Sequence, residues 1–382
     1  HGVPLWQFGA STWTELADGT IVTTWTANGI WRLGSIDGAT GSLTQIDLPF
    51  TMMSDVRTHP DGRQVMLKAG SRHEPPALIV VDPETEAWDY VKPPENDRLD
   101  PGYVSIAEPI SWATPDGSTA HGFYYAPTNK DVAAPVDELP PLIVESHGGP
   151  TSATSATFDL GVQFWTSRGF AVLDVNYGGS TGYGRAYRER LNGTWGVVDV
   201  DDCASGALAL AERGLVDRER LVIRGGSAGG FTTLAALAFR DVFSAGASYY
   251  GIGDLEAMAL DTHKFESRYL DTLVGPYPEA IAVYHERSAI HHVEDLNSPM
   301  ILFQGLDDKV VPPDQSVMMA EAVRAKGLPV ALLTFEGEGH GFRMADTIRR
   351  TLEAELSFYG QVFGFEPADD IPLLEIDNLP LR

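Results

Sequence analysis

An apolar strand that runs straight into a glycine-rich turn and then into a helix constrains the fold of this chain more than any other feature. The segment is LVIRGGSAGGFTTLAAL, residues 221–237. Its apolar start predicts a buried strand and its end a helix, so the chain must turn sharply over residues 225–229. The turn fits the pattern G-x-S-x-G, in which the serine has a strained backbone and small neighbours let the strand and the helix nearly touch. The pattern predicts that Ser227 is a nucleophile.

A glycine-rich turn before a helix is also typical of a phosphate-binding loop. This segment lacks the Lys-Ser or Lys-Thr pair of a P-loop, and it lacks the full G-x-G-x-x-G context. We therefore favour the nucleophile interpretation, on condition that the chain supplies a base and an acid for Ser227.

The charge of the chain excludes one class of partner. Its 382 residues include 53 acidic and 27 basic ones, which gives a formal net charge of −26 at pH 7. A field of this sign repels DNA and RNA, so nucleic-acid binding is not expected.

Neither a disulfide nor a membrane anchor is expected. The single cysteine, Cys203, cannot form an intrachain disulfide, and its position predicts a small buried residue of a helix. No apolar run approaches the length that spans a bilayer, and no signal peptide is visible. We therefore expect a cytoplasmic protein without membrane contact. Because the sequence starts at His1 without methionine, we also expect a processed chain or the C-terminal part of a longer protein.

Residues 1–95 are predicted to form short strands separated by turns. The turn at Asp18-Gly19 recurs 43 residues later at Asp61-Gly62, and the turn at Asp37 recurs 45 residues later at Asp82. This period matches a four-stranded propeller blade, so we predict a partial β-propeller of about two blades. A generic β-meander is the alternative interpretation.

Residues 96–382 show a different pattern, in which apolar strands alternate with helices. A hairpin is predicted at residues 115–117. Strands are predicted in PLIVES, FAVLDVNY, RLVIRGG, FSAGASYY, PMILFQG and VALLTFEG, with helices between most of them. The alternation predicts an α/β domain whose mostly parallel sheet is covered on both faces. Chemistry in such sheets lies at the carboxyl ends of the strands, which is where Ser227 is expected.

The chain supplies the partners that a nucleophilic serine needs. In the α/β-hydrolase arrangement the nucleophile, the acid and the histidine follow in that order. Asp307 and Asp308 follow one predicted strand, and His340 follows the next. The other downstream histidines belong to a polar helical insertion and are interpreted as surface or packing residues: His285, His291 and His292.

An oxyanion hole is predicted beside these residues. One N–H group comes from the loop after the third strand of such a domain, and another from the residue after the nucleophile. We assign these groups to the loop of His147, Gly148 and Gly149 and to Ala228.

The chain resembles the prolyl oligopeptidase family of serine peptidases, and in particular its acylaminoacyl-peptidase and dipeptidyl-peptidase branches. The resemblance covers about residues 100–362 and rests on SHGGP, DVNYGGSTGYG, TWGVVDVDD, GGSAGG, GLDDKVVPP and GEGHGF. It implies an α/β-hydrolase domain behind a propeller that restricts the entry of large substrates. It also implies a hydrolase of short peptides. Because the sequence contains no metal motif or dinucleotide fingerprint, no cofactor is expected.

The resemblance assigns roles to single residues. It implies that Ser227 is the nucleophile, His340 the base and Asp307 the orienting acid. Asp307 is favoured over Asp308 because the family acid usually stands two residues before a basic or polar residue, here Lys309. His147 stands where some branches have a tyrosine whose hydroxyl helps to bind the oxyanion, which indicates that backbone donors act here.

The resemblance also points to a substrate pocket. The family stretch that corresponds to residues 248–276 lines the pocket for the residue before the scissile bond. Candidate substrate-binding residues are Tyr249, Tyr250, Phe265 and Tyr269, together with Lys309 of the acid loop. Ordinary core packing is an equally open interpretation of the aromatic residues. Gly178 stands where the family usually has an arginine, so no substrate contact is predicted there.

Three functions remain to be compared. The first is a serine peptidase of aminopeptidase, acylaminoacyl-peptidase or dipeptidyl-peptidase type, which forms an acyl-enzyme intermediate. The second is a carboxylesterase that acts on short-chain esters with the same residues. The third is a binding protein with an inactive hydrolase fold, against which the complete set of Ser, Asp and His argues. The partners expected are a short peptide or small ester, and either a missing N-terminal propeller portion or a second copy of the chain.

Overall fold

The N-terminal part of the chain forms two small antiparallel sheets. The computed structural model describes residues 8–94, 99–261, 264 and 266–380. The first sheet has the order β1-β2-β3-β4 and the second β5-β6-β7-β8. The strands are β1 Trp13–Glu15, β2 Ile21–Ala27, β3 Ile30–Ile36, β4 Leu43–Ile46, β5 Met52–Thr58, β6 Val65–Gly70, β7 Ala77–Val81 and β8 Trp88–Lys92. Two four-stranded units confirm the predicted partial propeller.

The repeated aspartates build the turns of these sheets. Oδ1 of Asp37 accepts hydrogen bonds from the amides of the residues two and three positions later, and Asp61 and Asp82 do the same. Such turns place alternate strand residues on one face, where Val22 and Leu67 lie in a core that both sheets share. The predicted domain boundary at residues 95 and 96 lies outside the described residues.

The rest of the chain is organised by one eight-stranded sheet. Its order is β16-β15-β14-β13-β11-β12-β10-β9. The six strands from β16 to β12 run parallel, and the hairpin of β9 and β10 adds an antiparallel edge. The strands are β9 Glu108–Ala113, β10 Thr119–Tyr125, β11 Leu142–Ser146, β12 Ala171–Asn176, β13 Leu221–Gly226, β14 Ala245–Tyr249, β15 Met300–Gly305 and β16 Val330–Phe335. The predicted hairpin and all six predicted strands are therefore present.

Helices cover both faces of this sheet. One core joins the sheet to α3, α4 and α8, and a second core joins the opposite face to α1 and α9. Cys203 is buried in α3, as predicted. The helices are α1 Leu160–Thr166, α2 Arg185–Glu189, α3 Val198–Glu212, α4 Ala228–Phe239, α5 Leu255–Asp261, α6 Tyr269–Leu273, α7 Ile281–Arg287, α8 Asp314–Lys326 and α9 Ala345–Phe363, with 3₁₀ turns at Pro101–Tyr103 and Ala289–Asp295. Within the described ranges, none of these helices combines the length and apolar character needed to cross a membrane.

A buried ion network lies between the sheet and α9. Arg224 of β13 donates hydrogen bonds to Glu145 of β11 at 2.9 Å and to Glu355 of α9 at 3.1 Å. Glu355 is fully buried and also accepts the hydroxyls of Tyr249 and Tyr359. The network fixes the strand that leads to Ser227 against its neighbouring strand and the covering helix.

Removing the charge of Glu355 should destabilise the protein. Glu355→Gln leaves the guanidinium of Arg224 with a single partner in a buried environment, a change that typically costs about 3–5 kcal/mol. Urea denaturation followed by tryptophan fluorescence measures the loss. Glu353→Gln changes a partly exposed residue of the same helix and should stay within about 0.5 kcal/mol of the parent. Equal losses of unfolding free energy in the two variants would show that the network does not contribute to stability.

Candidate active site

Ser227 lies in the sharp turn between β13 and α4. Its backbone has φ 58° and ψ −121°, a conformation that costs an L-residue free energy and persists where the surroundings impose it. The amide of Ser227 donates to the carbonyl of Tyr249 at 2.9 Å, and its carbonyl accepts the first helical bond from Phe231 at 3.0 Å. The strand, the turn and the helix are therefore present as predicted.

The turn requires glycine because neighbouring backbone atoms leave no room for a side chain. A β-carbon on Gly229 would lie 2.0 Å from the carbonyl oxygen of Ser146, and one on Gly225 would lie 2.5 Å from the backbone of Gly229. No side chain fits at such distances, so glycine lets α4 begin directly against β11 and β13.

His340 lies within hydrogen-bond reach of Ser227. It follows β16, and its Nε2 lies 2.8 Å from Oγ of Ser227. Its Nδ1 lies 2.8 Å from Oδ2 of Asp308, in the loop after β15. The three side chains form one continuous chain of hydrogen bonds at the carboxyl ends of three parallel strands. This is the geometry in which a histidine can remove the serine proton while a carboxylate orients its ring.

The prediction that Asp307 lies at His340 is wrong, because Asp308 takes that place. The carboxyl group of Asp308 is fully buried and its Oδ1 accepts the amides of Val310 at 2.8 Å and Val311 at 2.9 Å. Asp307 is exposed, and its amide is held by the carbonyl of Glu338 at 2.9 Å. The carboxylate at His340 therefore belongs to the residue one position before Lys309 rather than two, and this residue also accepts backbone amides of its own turn.

The loop after β11 passes beside Ser227. A β-carbon on Gly148 would lie 3.5 Å from Cβ of Ser227, so this backbone is in contact with the serine. Ala228 is the first residue of α4, and the amide of a first helical residue has no partner within its helix. The predicted oxyanion donors, the backbones of Gly148, Gly149 and Ala228, thus flank Ser227 from two elements.

The His147 side chain shapes this loop. Its ring stacks on Tyr177 with ring centroids 4.3 Å apart, and burial lowers its pKa to about 4. Nδ1 lies 2.8 Å from the carbonyl oxygen of Gly148, and Nε2 lies 2.7 Å from Oγ of Ser180. A carbonyl can only accept, so Nδ1 carries the proton and Nε2 accepts from the serine hydroxyl. The neutral ring contributes to the predicted oxyanion loop by holding the Gly148 carbonyl.

Two cavities meet at Ser227. The larger one, of about 1120 Å³, lies between the two N-terminal sheets and the eight-stranded sheet, and we call it the cleft. The cleft is lined by Met52, Glu145, Asp174, Arg224, Tyr250 and His340, among others. The smaller one, of about 40 Å³, lies on the other side of the serine, and we call it the inner pocket. The inner pocket is lined mainly by Trp195, Ile252, Met258, Tyr269 and Val311.

The structure places the predicted substrate-binding residues in different surroundings. Tyr269 lines the inner pocket, where its hydroxyl donates to Thr151, and Tyr250 lines the cleft with its ring 4.9 Å from that of His340. The prediction that Tyr249 binds substrate is wrong: Tyr249 is the last residue of β14, and its hydroxyl donates to Glu355 in the core. Lys309 is exposed and is not part of the lining described for either cavity. Phe265 lies outside the described residues.

Some residues at the site were missed from the sequence. Trp195, in the motif TWGVVDVDD, lines the inner pocket, and Glu266 and Val310 line both cavities. Of the downstream histidines, His285 pairs with Glu256 at 2.6 Å and His292 with Asp295 at 3.4 Å, away from Ser227. In the part of the chain that the structure describes, no group of three or more His, Cys, Asp or Glu residues could hold a metal ion.

Fold and site together define an α/β-hydrolase domain with a Ser-His-Asp constellation, preceded by propeller-like sheets. The model of the prolyl oligopeptidase family matches residues 156–366, and the chain belongs to that family. This confirms the resemblance found in the sequence.

Three relatives show how the chain compares with known proteins. A solved puromycin-hydrolyzing peptidase of Mycobacterium tuberculosis is 45% identical with a TM-score of 0.94, over 98% of this chain and 56% of that chain. Dipeptidyl aminopeptidase BIII of Pseudoxanthomonas mexicana is 28% identical over 67% of this chain and 38% of the relative. The acylamino-acid-releasing enzyme of Arabidopsis thaliana is 31% identical over 52% of this chain and 27% of the relative. The chain thus spans about half the length of the solved relative and less of the other two.

The His147 ring should stay neutral across the physiological pH range. Since burial lowers its pKa from 6.5 to about 4, the unfolded chain binds a proton between these values that the folded chain does not. His147 therefore lowers the free energy of unfolding as pH falls through this window. NMR of ¹³C-labelled histidine, with His147→Gln to assign the signal, should show an Nδ1-protonated ring without titration above about pH 5. A titration midpoint near 6.5 would contradict the burial argument.

Proposed function

We propose that this chain carries the active site of a serine peptidase that cleaves short peptides through an acyl-enzyme intermediate. The observation that carries the proposal is the hydrogen-bond chain from Asp308 through His340 to Ser227. A serine hydroxyl is a weak nucleophile, and a neighbouring histidine base is what activates it. Membership of the prolyl oligopeptidase family supports the same chemistry.

Each residue has a role in the proposed reaction. Oγ of Ser227 attacks the scissile carbonyl carbon while Nε2 of His340 takes its proton, and Asp308 stabilises the imidazolium that forms. The amides of Ala228 and Gly149 stabilise the oxyanion, where one donor is typically worth about 3–4 kcal/mol. His340 then protonates the leaving amine, and a water molecule activated by the same histidine releases the acyl group.

The relatives support amide substrates. The three relatives are named for puromycin hydrolysis, dipeptidyl aminopeptidase activity and release of acylated amino acids. The same residues would also cleave activated esters, as the carboxylesterase alternative requires, since esters are the easier substrates. Turnover of aminoacyl amides measured against short-chain esters separates the two functions.

We further propose that another part of the protein covers the N-terminal sheets. Apolar side chains on these sheets are exposed, among them Trp13, Leu43 and Val91. These residues lie on the edge strands β1, β4 and β8, and exposed edges with apolar side chains favour association, so further propeller blades or a second copy of the chain would stabilise the sheets.

The isolated chain should therefore self-associate. Light scattering during size-exclusion chromatography should give a mass above 41.4 kDa that rises with concentration. A stable monomer at all concentrations would contradict the proposal.

Ser227 should react covalently with a fluorophosphonate probe. The label should appear on the peptide that contains Ser227, because His340 raises the nucleophilicity of its hydroxyl. Ser227→Ala should abolish labelling and nearly all turnover, while the circular dichroism spectrum stays that of the parent. Persistent labelling of this variant would place the nucleophile elsewhere.

The two adjacent aspartates should differ sharply in their effect on turnover. Asp308→Asn removes the carboxylate that orients the ring of His340 and should lower kcat by about 10⁴-fold. Asp307→Asn changes an exposed neighbour of the same loop and should stay close to the parent. Steady-state kinetics on one aminoacyl amide compares them, and the opposite ranking would return the role to Asp307.

A further inference from the structure

The turn after β12, residues 177–180, carries both side chains that hold the ring of His147. Tyr177 stacks on this ring, and Oγ of Ser180 donates to its Nε2 at 2.7 Å. The hydroxyl of Tyr177 also donates to the carbonyl of His147 at 2.9 Å. The amide of Ser180 donates to the carbonyl of Tyr177 at 2.9 Å, which closes the turn. The position of the His147 ring, and with it that of the Gly148 carbonyl, therefore depends on this turn.

A buried carboxylate anchors the turn. Oδ2 of Asp202, in α3, accepts the amide of Gly178 at 2.7 Å. Burial raises the pKa of Asp202 to about 6, and the Gly178 amide and the guanidinium of Arg190 act in the opposite direction. Arg190 follows α2 and donates to both oxygens of Asp202, through Nη1 to Oδ2 at 3.1 Å and through Nη2 to Oδ1 at 3.3 Å. Such a two-point contact stabilises the charge of the carboxylate and also fixes its orientation.

The guanidinium of Arg190 lies where a side chain at position 178 would begin. A β-carbon on Gly178 would lie 2.6 Å from Cγ1 of Val198 and 2.8 Å from both Cζ and Nη1 of Arg190. Gly178 is not among the glycines with positive φ, so its backbone does not itself require glycine. The family usually has an arginine at this position, as noted from the sequence. In this chain the arginine side chain beside Asp202 comes from residue 190 instead.

We propose that Arg190 replaces the family arginine of position 178 and acts as a positioning residue for the oxyanion loop. The guanidinium orients Asp202, and Asp202 holds the amide of Gly178. The turn then fixes the ring of His147 and the carbonyl of Gly148. The proposal rests on the oxyanion hole of the proposed function and adds to it a residue that acts through others.

A purely stabilising role is the alternative for Arg190. Its Nη2 also lies 3.4 Å from Oδ2 of Asp116, in the hairpin of β9 and β10, so the side chain connects α2 to α3 and to this hairpin. If stability were its whole contribution, its loss would weaken the fold without changing the surroundings of His147. The test therefore needs one readout at Ser227 and another at His147.

The rate constant of fluorophosphonate labelling gives the readout at Ser227, because the phosphoryl oxygen of the probe occupies the oxyanion site. Arg190→Met in the full chain removes the guanidinium and keeps an apolar stem. Loss of an oxyanion donor typically lowers kcat by about 10²–10³-fold, so a displaced donor should lower the labelling rate by at least about 10-fold. Arg188→Met changes an exposed arginine of α2 and should leave the rate unchanged.

NMR of ¹³C-labelled histidine gives the readout at His147. Burial lowers the pKa of His147 to about 4 in the parent. A loosened turn admits water to the ring, so Arg190→Met should move the titration midpoint up toward 6.5. Arg188→Met should leave the midpoint in place.

Moving the arginine back tests the replacement itself. Val198→Ala removes the atom nearest to a new β-carbon at position 178 and serves as the reference background. In this background Arg190→Gly should slow labelling. The swap variant, which adds Gly178→Arg to these two changes, should fold and recover most of the lost rate, because its guanidinium extends into the vacated space beside Asp202. Recovery by the second change is the coupling that a double-mutant cycle measures.

The outcomes separate this proposal from the one on which it rests. Parent-like labelling of Arg190→Met, or an unmoved His147 midpoint, would overturn the positioning role. A swap variant that does not fold, or that labels as slowly as Arg190→Gly in the same background, would overturn the replacement. In each of these cases Ser227 of the parent would still be labelled. Absence of labelling in the parent would instead refute the proposed serine chemistry itself.

Discussion

The close contact between the start of α4 and the end of β11 is the constraint on which the rest of the site depends. The backbone of Gly229 lies against the carbonyl of Ser146, with no room for a β-carbon. This contact forces the chain to reverse over a single residue, so Ser227 is held at positive φ with its hydroxyl above the sheet edge. It also brings the amide of Ala228 next to the loop of Gly148, so the nucleophile and the predicted oxyanion donors are positioned by the same contact.

Hydrogen bonds of residues beneath the site hold the strand ends that carry the remaining side chains. Arg224 stands three residues before Ser227 and ties β13 to Glu145 and Glu355. Tyr249 extends this network and, through its carbonyl, holds the amide of Ser227. Tyr250, the next residue, turns to the other side and contacts His340. The two successive tyrosines thus have different surroundings, one in the core and one at the site, because β14 ends at Tyr249 and the backbone of Tyr250 turns away at φ 39°.

Much of this arrangement could be predicted from the sequence, since the signals were local and physically specific. The glycines around Ser227, the apolar runs of strand length and the loops with His340 and two aspartates were enough to predict the mostly parallel sheet, its six strands and two of the three side chains. The choice between Asp307 and Asp308 could not be made in this way. It depends on which carboxylate turns back to accept the amides of Val310 and Val311, a property of the folded loop. Trp195 and Glu266 were overlooked for a related reason, because cavity walls are assembled from distant segments.

His147 illustrates how backbone amides can take over the proposed oxyanion binding where the side-chain donor is absent. Some branches of the family have a tyrosine hydroxyl at this position, and a partly buried histidine with a pKa of about 4 offers no positive charge in its place. Both ring nitrogens are already engaged, one with the Gly148 carbonyl and one with Ser180. The C=O and N–H groups of one trans peptide unit point in opposite directions, so fixing the Gly148 carbonyl also fixes the direction of the Gly149 amide. In the proposed reaction the ring therefore acts by orienting a backbone donor, and its neutrality matters because protonation of Nε2 would break its acceptance from Ser180.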